Sequence, residues 1–79
     1  MKLLVRNLSR STKEEAILAL FEVHGTVEFC TLVMDEKTGM SKGFGFVEMP
    51  DPKEANNAIQ ALNGQKIDKS KIRVKPSQT

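Results

Sequence analysis

Phe44 and Phe46 stand close behind Lys42 in the run Lys42-Gly43-Phe44-Gly45-Phe46-Val47-Glu48-Met49. In an extended strand alternate side chains share a face. Phe44, Phe46 and Glu48 then point one way, and Gly45, Val47 and Met49 the other. A strand built only for packing would bury its rings and expose its glycine. This one does the reverse, which indicates that the rings are displayed. Displayed rings beside cations offer a ligand flat apolar contact together with positive charge, which suits a polyanion.

Other chemistries are poorly supplied. Cys30 is the single cysteine and His24 the single histidine. One cysteine allows neither an internal disulfide nor a cysteine zinc site, and Cys30 reads as a small core residue. His24 closes a helix without a second ligand at metal spacing. No nucleophile–base constellation is present, and no glycine-rich anion loop precedes a helix. The reading is therefore not an enzyme, with no metal site and no cofactor.

Seventy-nine residues make one small domain. With 39% hydrophobic and 28% charged residues the chain reads as folded and globular. No apolar run approaches the ~18 residues of a membrane span, and the N-terminus has no signal-peptide pattern. An intracellular protein is the default, with no membrane partner. The net charge is only +2, but its placement is uneven. Lys2, Arg6, Lys42, Lys69, Lys71, Arg73 and Lys75 fall on strand-like segments or their flanks. Glu14, Glu15, Glu22, Asp51 and Glu54 fall on helix-like ones. Separate layers of strands and helices would give a basic face, suited to a polyanion, and an acidic one. Ordinary solvated charge is the competing reading.

The positioning elements follow from periodicity. Residues 2–6 alternate and form a first strand. Thr12 and Glu15 have capping-box spacing, and Ala16, Ile17, Leu20, Phe21 and Val23 continue at helical spacing, so a helix covers 13–23 and stops at Gly25. Residues 27–34 form a second strand and the opening run, 42–49, a third. The short polar loop between them makes an antiparallel hairpin. Counting back from that loop sets Val33 near Phe44, Thr31 near Phe46 and Phe29 near Glu48. A slip of one residue is the alternative. Asp51 caps a second helix, with Pro52 at its first position and Glu54 at the capping-box position. Ala55, Ala58, Ile59 and Leu62 line its inner face, and Asn63-Gly64 ends it. Residues 71–75 alternate as a fourth strand, with Ile72 and Val74 inward.

The order βαββαβ predicts an α+β, ferredoxin-like sandwich. Its sheet has four antiparallel strands in the order 4-1-3-2, and both helices cover one face. Leu4, Arg6, Phe44 and Phe46 then lie at the middle of the other. Residues 1–76 form the domain and 77–79 a C-terminal tail.

On these residues the chain resembles the RNA recognition motif family. The family octamer is Lys/Arg-Gly-Phe/Tyr-Gly/Ala-Phe-Val-x-Phe/Tyr; residues 42–49 match seven of its eight positions, counting the free one. Leu3-Leu4-Val5-Arg6-Asn7-Leu8 resembles the family's hexamer of the first strand. Met49 departs from the final aromatic, on the core side. Leu4 departs from the usual aromatic at the second hexamer position, on the displayed side, and weakens one stacking platform.

The resemblance implies single-stranded RNA binding without catalysis, over ~2–4 nucleotides. Phe46 would stack on a base, and Phe44 would pack on sugar or base. Lys42 would pair with a phosphate. Leu4, Arg6, Arg73 and Lys75 complete the principal contacts. Lys2, Phe29, Thr31, Val33, Glu48 and Lys71 are second-tier contacts. Phe29 has two readings: parity puts it on the open face, whereas a bulge at the start of its strand would fold it into the core. Single-stranded DNA stays open as a second ligand, and a protein-interaction module using the same fold as a second function. A monomer is expected. The compact chain also resembles small single-domain bacterial RNA-binding proteins, which would place it in the cytoplasm. A fragment of a eukaryotic protein would place it in the nucleus.

Overall fold

The computed structural model describes residues 1–77. Its elements in chain order are β1 (Lys2–Arg6), α1 (Glu14–Glu22), β2 (Phe29–Met34), β3 (Ser41–Glu48), α2 (Pro52–Leu62), β4 (Lys66–Ile67), β5 (Ser70–Lys71) and β6 (Arg73–Pro76). The main sheet runs β2-β3-β1-β6, all antiparallel. With β6 as the fourth strand, this is the expected 4-1-3-2 order. The inner face carries Leu3, Val5, Leu32, Val47, Met49 and Val74, packed on Ile17 and Phe21 of α1 and Ala55, Ala58 and Leu62 of α2. Burying these apolar side chains is the main force holding helices to sheet.

The hairpin register holds where the loop count set it: Phe29 pairs with Glu48 and Thr31 with Phe46. It then shifts between Leu32 and Met34, and Met34 pairs with Ser41. Val33 and Phe44 fall within this irregularity instead of forming a simple pair. Gly43 makes the bend, with φ at +87°, a left-handed conformation that glycine adopts without strain. Its N–H donates to Ser41 Oγ at 3.0 Å, and its carbonyl accepts from Leu8 N at 2.8 Å.

Both helix starts depart in part from the expected caps. α1 begins after Lys13, which makes no side-chain cap. Thr12 is buried, and its hydroxyl donates to Asp68 Oδ2 at 2.7 Å instead. That bond ties the loop before α1 to the turn between β4 and β5. Ile17 and Phe21 point inward as expected, but Val23 is 79% exposed. α2 has its expected cap: Asp51 Oδ1 accepts from Lys53 N at 2.9 Å, with Pro52 first in the helix. Glu54 does not complete a capping box; its Oε1 accepts from Thr26 N at 3.1 Å. Glu14 also reaches across elements, its Oε2 accepting from Leu32 N at 3.0 Å on the edge strand β2. Filling that backbone position blunts an edge that could pair with another chain.

The expected strand at 71–75 is divided. Ile72 and Val74 are buried as read, but Lys71 belongs to a small hairpin, opposite Lys66. Asp68 and Lys69 turn it with φ of 49° and 71°, the double left-handed geometry of a type I′ turn. Ser77, placed in the tail by sequence, still donates its N–H to Lys2 O at 2.8 Å; residues 78 and 79 of that tail lie outside the described residues.

Candidate nucleic-acid interface

β3 and β1 occupy the centre of the sheet, so their outward side chains form the middle of the face the helices leave open. Phe44, Phe46 and Glu48 are half-buried there, and Ser41, Gly43, Gly45 and Val47 are buried on the other side. The two rings meet edge to face, with centroids 6.3 Å apart and planes at 87°. Leu4 lies opposite Phe46 on one side and Lys75 on the other. One row therefore crosses the face as Thr31, Phe46, Leu4 and Lys75. A second row holds Phe29, Glu48 and Lys2. Phe29 is 43% exposed, which resolves its two readings in favour of the open face.

Gly45 explains why the strand turns its small side inward. A Cβ at Gly45 would overlap the Thr31 carbonyl oxygen and crowd Leu32 Cα. The immediate constraint is the backbone of β2, which approaches closer than any side chain would allow. This contact sets β2 against β3 beneath the rings.

Polar neighbours engage parts of the face. The Lys2 ammonium lies 4.7 Å from the centroid of the Phe46 ring. Glu48 Oε2 pairs with the Met1 amino group at 2.7 Å. Among the described residues that is the one ion pair, so Arg6, Lys42, Arg73 and Lys75 have no carboxylate partner there. Arg6, Arg73 and Lys75 line an open cleft of about 650 Å³ at the β1–β6 end. A second cleft, of about 250 Å³, is lined by Arg6, Arg10, Lys42 and Phe44.

Arg10 was not among the candidates from sequence. It sits in the loop from β1 to α1, where the chain reads only as a turn. Its place beside Lys42 depends on the β3 bend at Gly43, which brings the two loops together. Asp35, in the β2–β3 turn, accepts from Lys37 N at 2.8 Å and Thr38 N at 3.2 Å. These two bonds, with lesser help from the charges of Lys42 and Arg10, hold its carboxyl below the usual range.

Lys71 is set apart from the other candidates. Its Cε would lie 3.6 Å from a Cβ placed on Gly64, just past α2. Its carbonyl accepts from Asn7 Nδ2 at 2.7 Å, so its backbone braces the end of β1. Cys30 is half-buried beside α1; burial, with the Glu14 carboxylate adding, pushes its thiol up to about 11. Among the described residues no three His, Cys, Asp or Glu are grouped to hold a metal, and no helix is long and apolar enough to cross a membrane.

The model of the RNA recognition motif family matches residues 3–73. The chain belongs to this family. As an RNA recognition motif it is 45% identical, over 74 residues, to 29 kDa ribonucleoprotein B, chloroplastic, of Nicotiana sylvestris. The match covers 94% of this chain and 25% of that protein, so the chain spans about a quarter of its relative's length. Among solved structures, RNA Binding Protein PG1 superposes with a TM-score of 0.95 at 37% identity, over 100% of this chain and 95% of that one. The Sxl-lethal protein/RNA complex gives a TM-score of 0.93 at 28% identity, over 99% of this chain and 47% of that one. Within the family's pattern, Met49 is fully buried, so its departure from an aromatic is a matter of core packing. Leu4 departs on the open face itself.

Proposed function

We propose that this RNA recognition motif binds single-stranded RNA across the open face of the sheet, without catalysis. The observation that carries the reading is the Phe44–Phe46 pair, held partly exposed at the centre of that face and flanked by cations with no carboxylate partner among the described residues. Every base offers a π-face, so such rings bind with broad sequence tolerance, each stack contributing ~1–3 kcal/mol. Phe46 stacks on a base and Phe44 packs on a sugar or base. Lys42, Arg6, Arg73 and Lys75 hold phosphates, and Leu4 gives apolar contact without a stacking ring. Lys2, Phe29, Thr31, Val33 and Glu48 are second-rank contacts, and Lys71 the most remote. Kinship with a chloroplastic ribonucleoprotein and the RNA-bound relative support the reading. The chain acts as a monomer in the cytoplasm, the chloroplast of its relative being the alternative.

A protein partner is the second reading, and the exposed Phe29 at the sheet edge favours it. The lysines and arginines around the rings favour RNA.

Titration of a labelled single-stranded RNA pool, repeated with DNA of the same sequence, tests the proposal. RNA should bind with weak to moderate affinity. Four phosphate contacts would give a slope of about −3 in log affinity against log salt. Absence of saturable RNA binding at low salt would overturn it.

A further inference from the structure

The loop of residues 7–13, between β1 and α1, is tied down at both ends. Asn7 holds the carbonyl of Lys71, and Thr12 holds the carboxylate of Asp68. Between them Thr12 N donates to Ser9 O at 3.0 Å, Ser11 N donates to Ser9 Oγ at 3.2 Å, and the two serine hydroxyls share a bond of 2.8 Å. Arg10 projects from this braced turn. Its Nε lies 3.7 Å from the position a Cβ would take on Gly43, between Lys42 and Phe44 in sequence. The guanidinium is exposed and has no carboxylate partner among the described residues.

The two clefts at this end of the sheet share Arg6 and Asn7. One holds Arg10 and Lys42 beside the Phe44 ring; the other holds Arg73 and Lys75. Arg6 stands between them. We propose that Arg10 is a phosphate-binding residue, and that the backbone of a bound single strand passes from an Arg10–Lys42 grip beside Phe44, over Arg6, to Arg73 and Lys75. The proposal rests on the RNA-binding reading above and adds to it a site on loop 7–13 and a route. A guanidinium makes paired, charge-assisted bonds to two oxygens of one phosphate, which a lysine cannot. The bracing of the loop means that little ordering accompanies binding.

The test uses the whole chain, a labelled single-stranded RNA of mixed sequence and a series of salt concentrations. Arg10→Gln should weaken binding several-fold at low salt, to the same degree for different sequences. It should make the salt slope shallower by about 0.7, the value for one phosphate contact on a single strand. Arg10→Lys should keep the wild-type slope. Thermal melting shows whether each variant folds. If the wild type binds RNA and folded Arg10→Gln binds with the same affinity and slope, the Arg10 site is overturned while the RNA reading stands. If the wild type does not bind, the RNA reading falls and the site with it.

Discussion

The ammonium of Lys2 sits 4.7 Å from the centroid of the Phe46 ring, the ring proposed to stack on a base. A cation over an exposed ring is worth ~0.5–1 kcal/mol, and a stacked base ~1–3 kcal/mol. The base should win, and the ammonium should turn to the phosphates. In the free protein the Lys2 side-chain methylene next to the ammonium should be shifted upfield by the ring. Adding RNA should return it to an ordinary position, as followed by NMR. A Lys2 shift unchanged at saturation would mean that no base displaces it from Phe46.

Leu4 occupies the place beside Phe46 where the family usually has a ring. Leu4→Tyr should restore a platform between Phe46 and Lys75. One added stack of ~1 kcal/mol or more tightens RNA binding about fivefold or better. Equal or weaker affinity would show that bases do not pass over β1.

Gly45 allows β2 and β3 to approach beneath the rings. Gly45→Ala drives a methyl group into the Thr31 carbonyl, and backbone cannot yield as a flexible side chain does. Overpacking of this kind costs about 2 kcal/mol, or roughly 8–16 °C in Tm for a domain of this size. Thermal unfolding measures it, and an unchanged Tm would contradict the close approach.

Cys30 has its thiol raised from 9.0 to about 11, first by burial and then by Glu14. Its alkylation at pH 8 should be slower in the native chain than in denaturant, because only the thiolate reacts. Between pH 9 and about 11 the folded chain keeps a proton that the unfolded chain has lost. Stability from this group is therefore complete below 9 and declines as pH rises through that window. Native and denatured alkylation rates that match at pH 8 would count against the burial.

Much of this was legible in the residues. The period of two in residues 42–49 decided which side of β3 carries the rings, because a strand has no third direction. The polar loop fixed the hairpin pairs at Phe29 and Thr31, but not the bend at Gly43, where a left-handed glycine shifts the register. Side-chain oxygens were less legible. Thr12 and Glu54 stand at capping positions, yet their oxygens bond to residues 56 and 28 positions away. Spacing along a helix cannot reveal such partners. The hairpin that removes Lys71 from the fourth strand turns on Asp68-Lys69, a left-handed pair without the usual glycine. Arg10 joined the site only because the loop after β1 and the bend in β3 meet in space.

RNA binding by this domain is proposed to rest on Phe44 and Phe46 as its stacking platform. Binding of a labelled single-stranded RNA to the Phe44→Ala, Phe46→Ala double variant tests it most directly, with circular dichroism confirming the fold. Two stacks at ~1 kcal/mol or more each predict a loss of about 30-fold or greater. A folded double variant that binds RNA as tightly as the wild type would mean that the two rings are not the stacking platform.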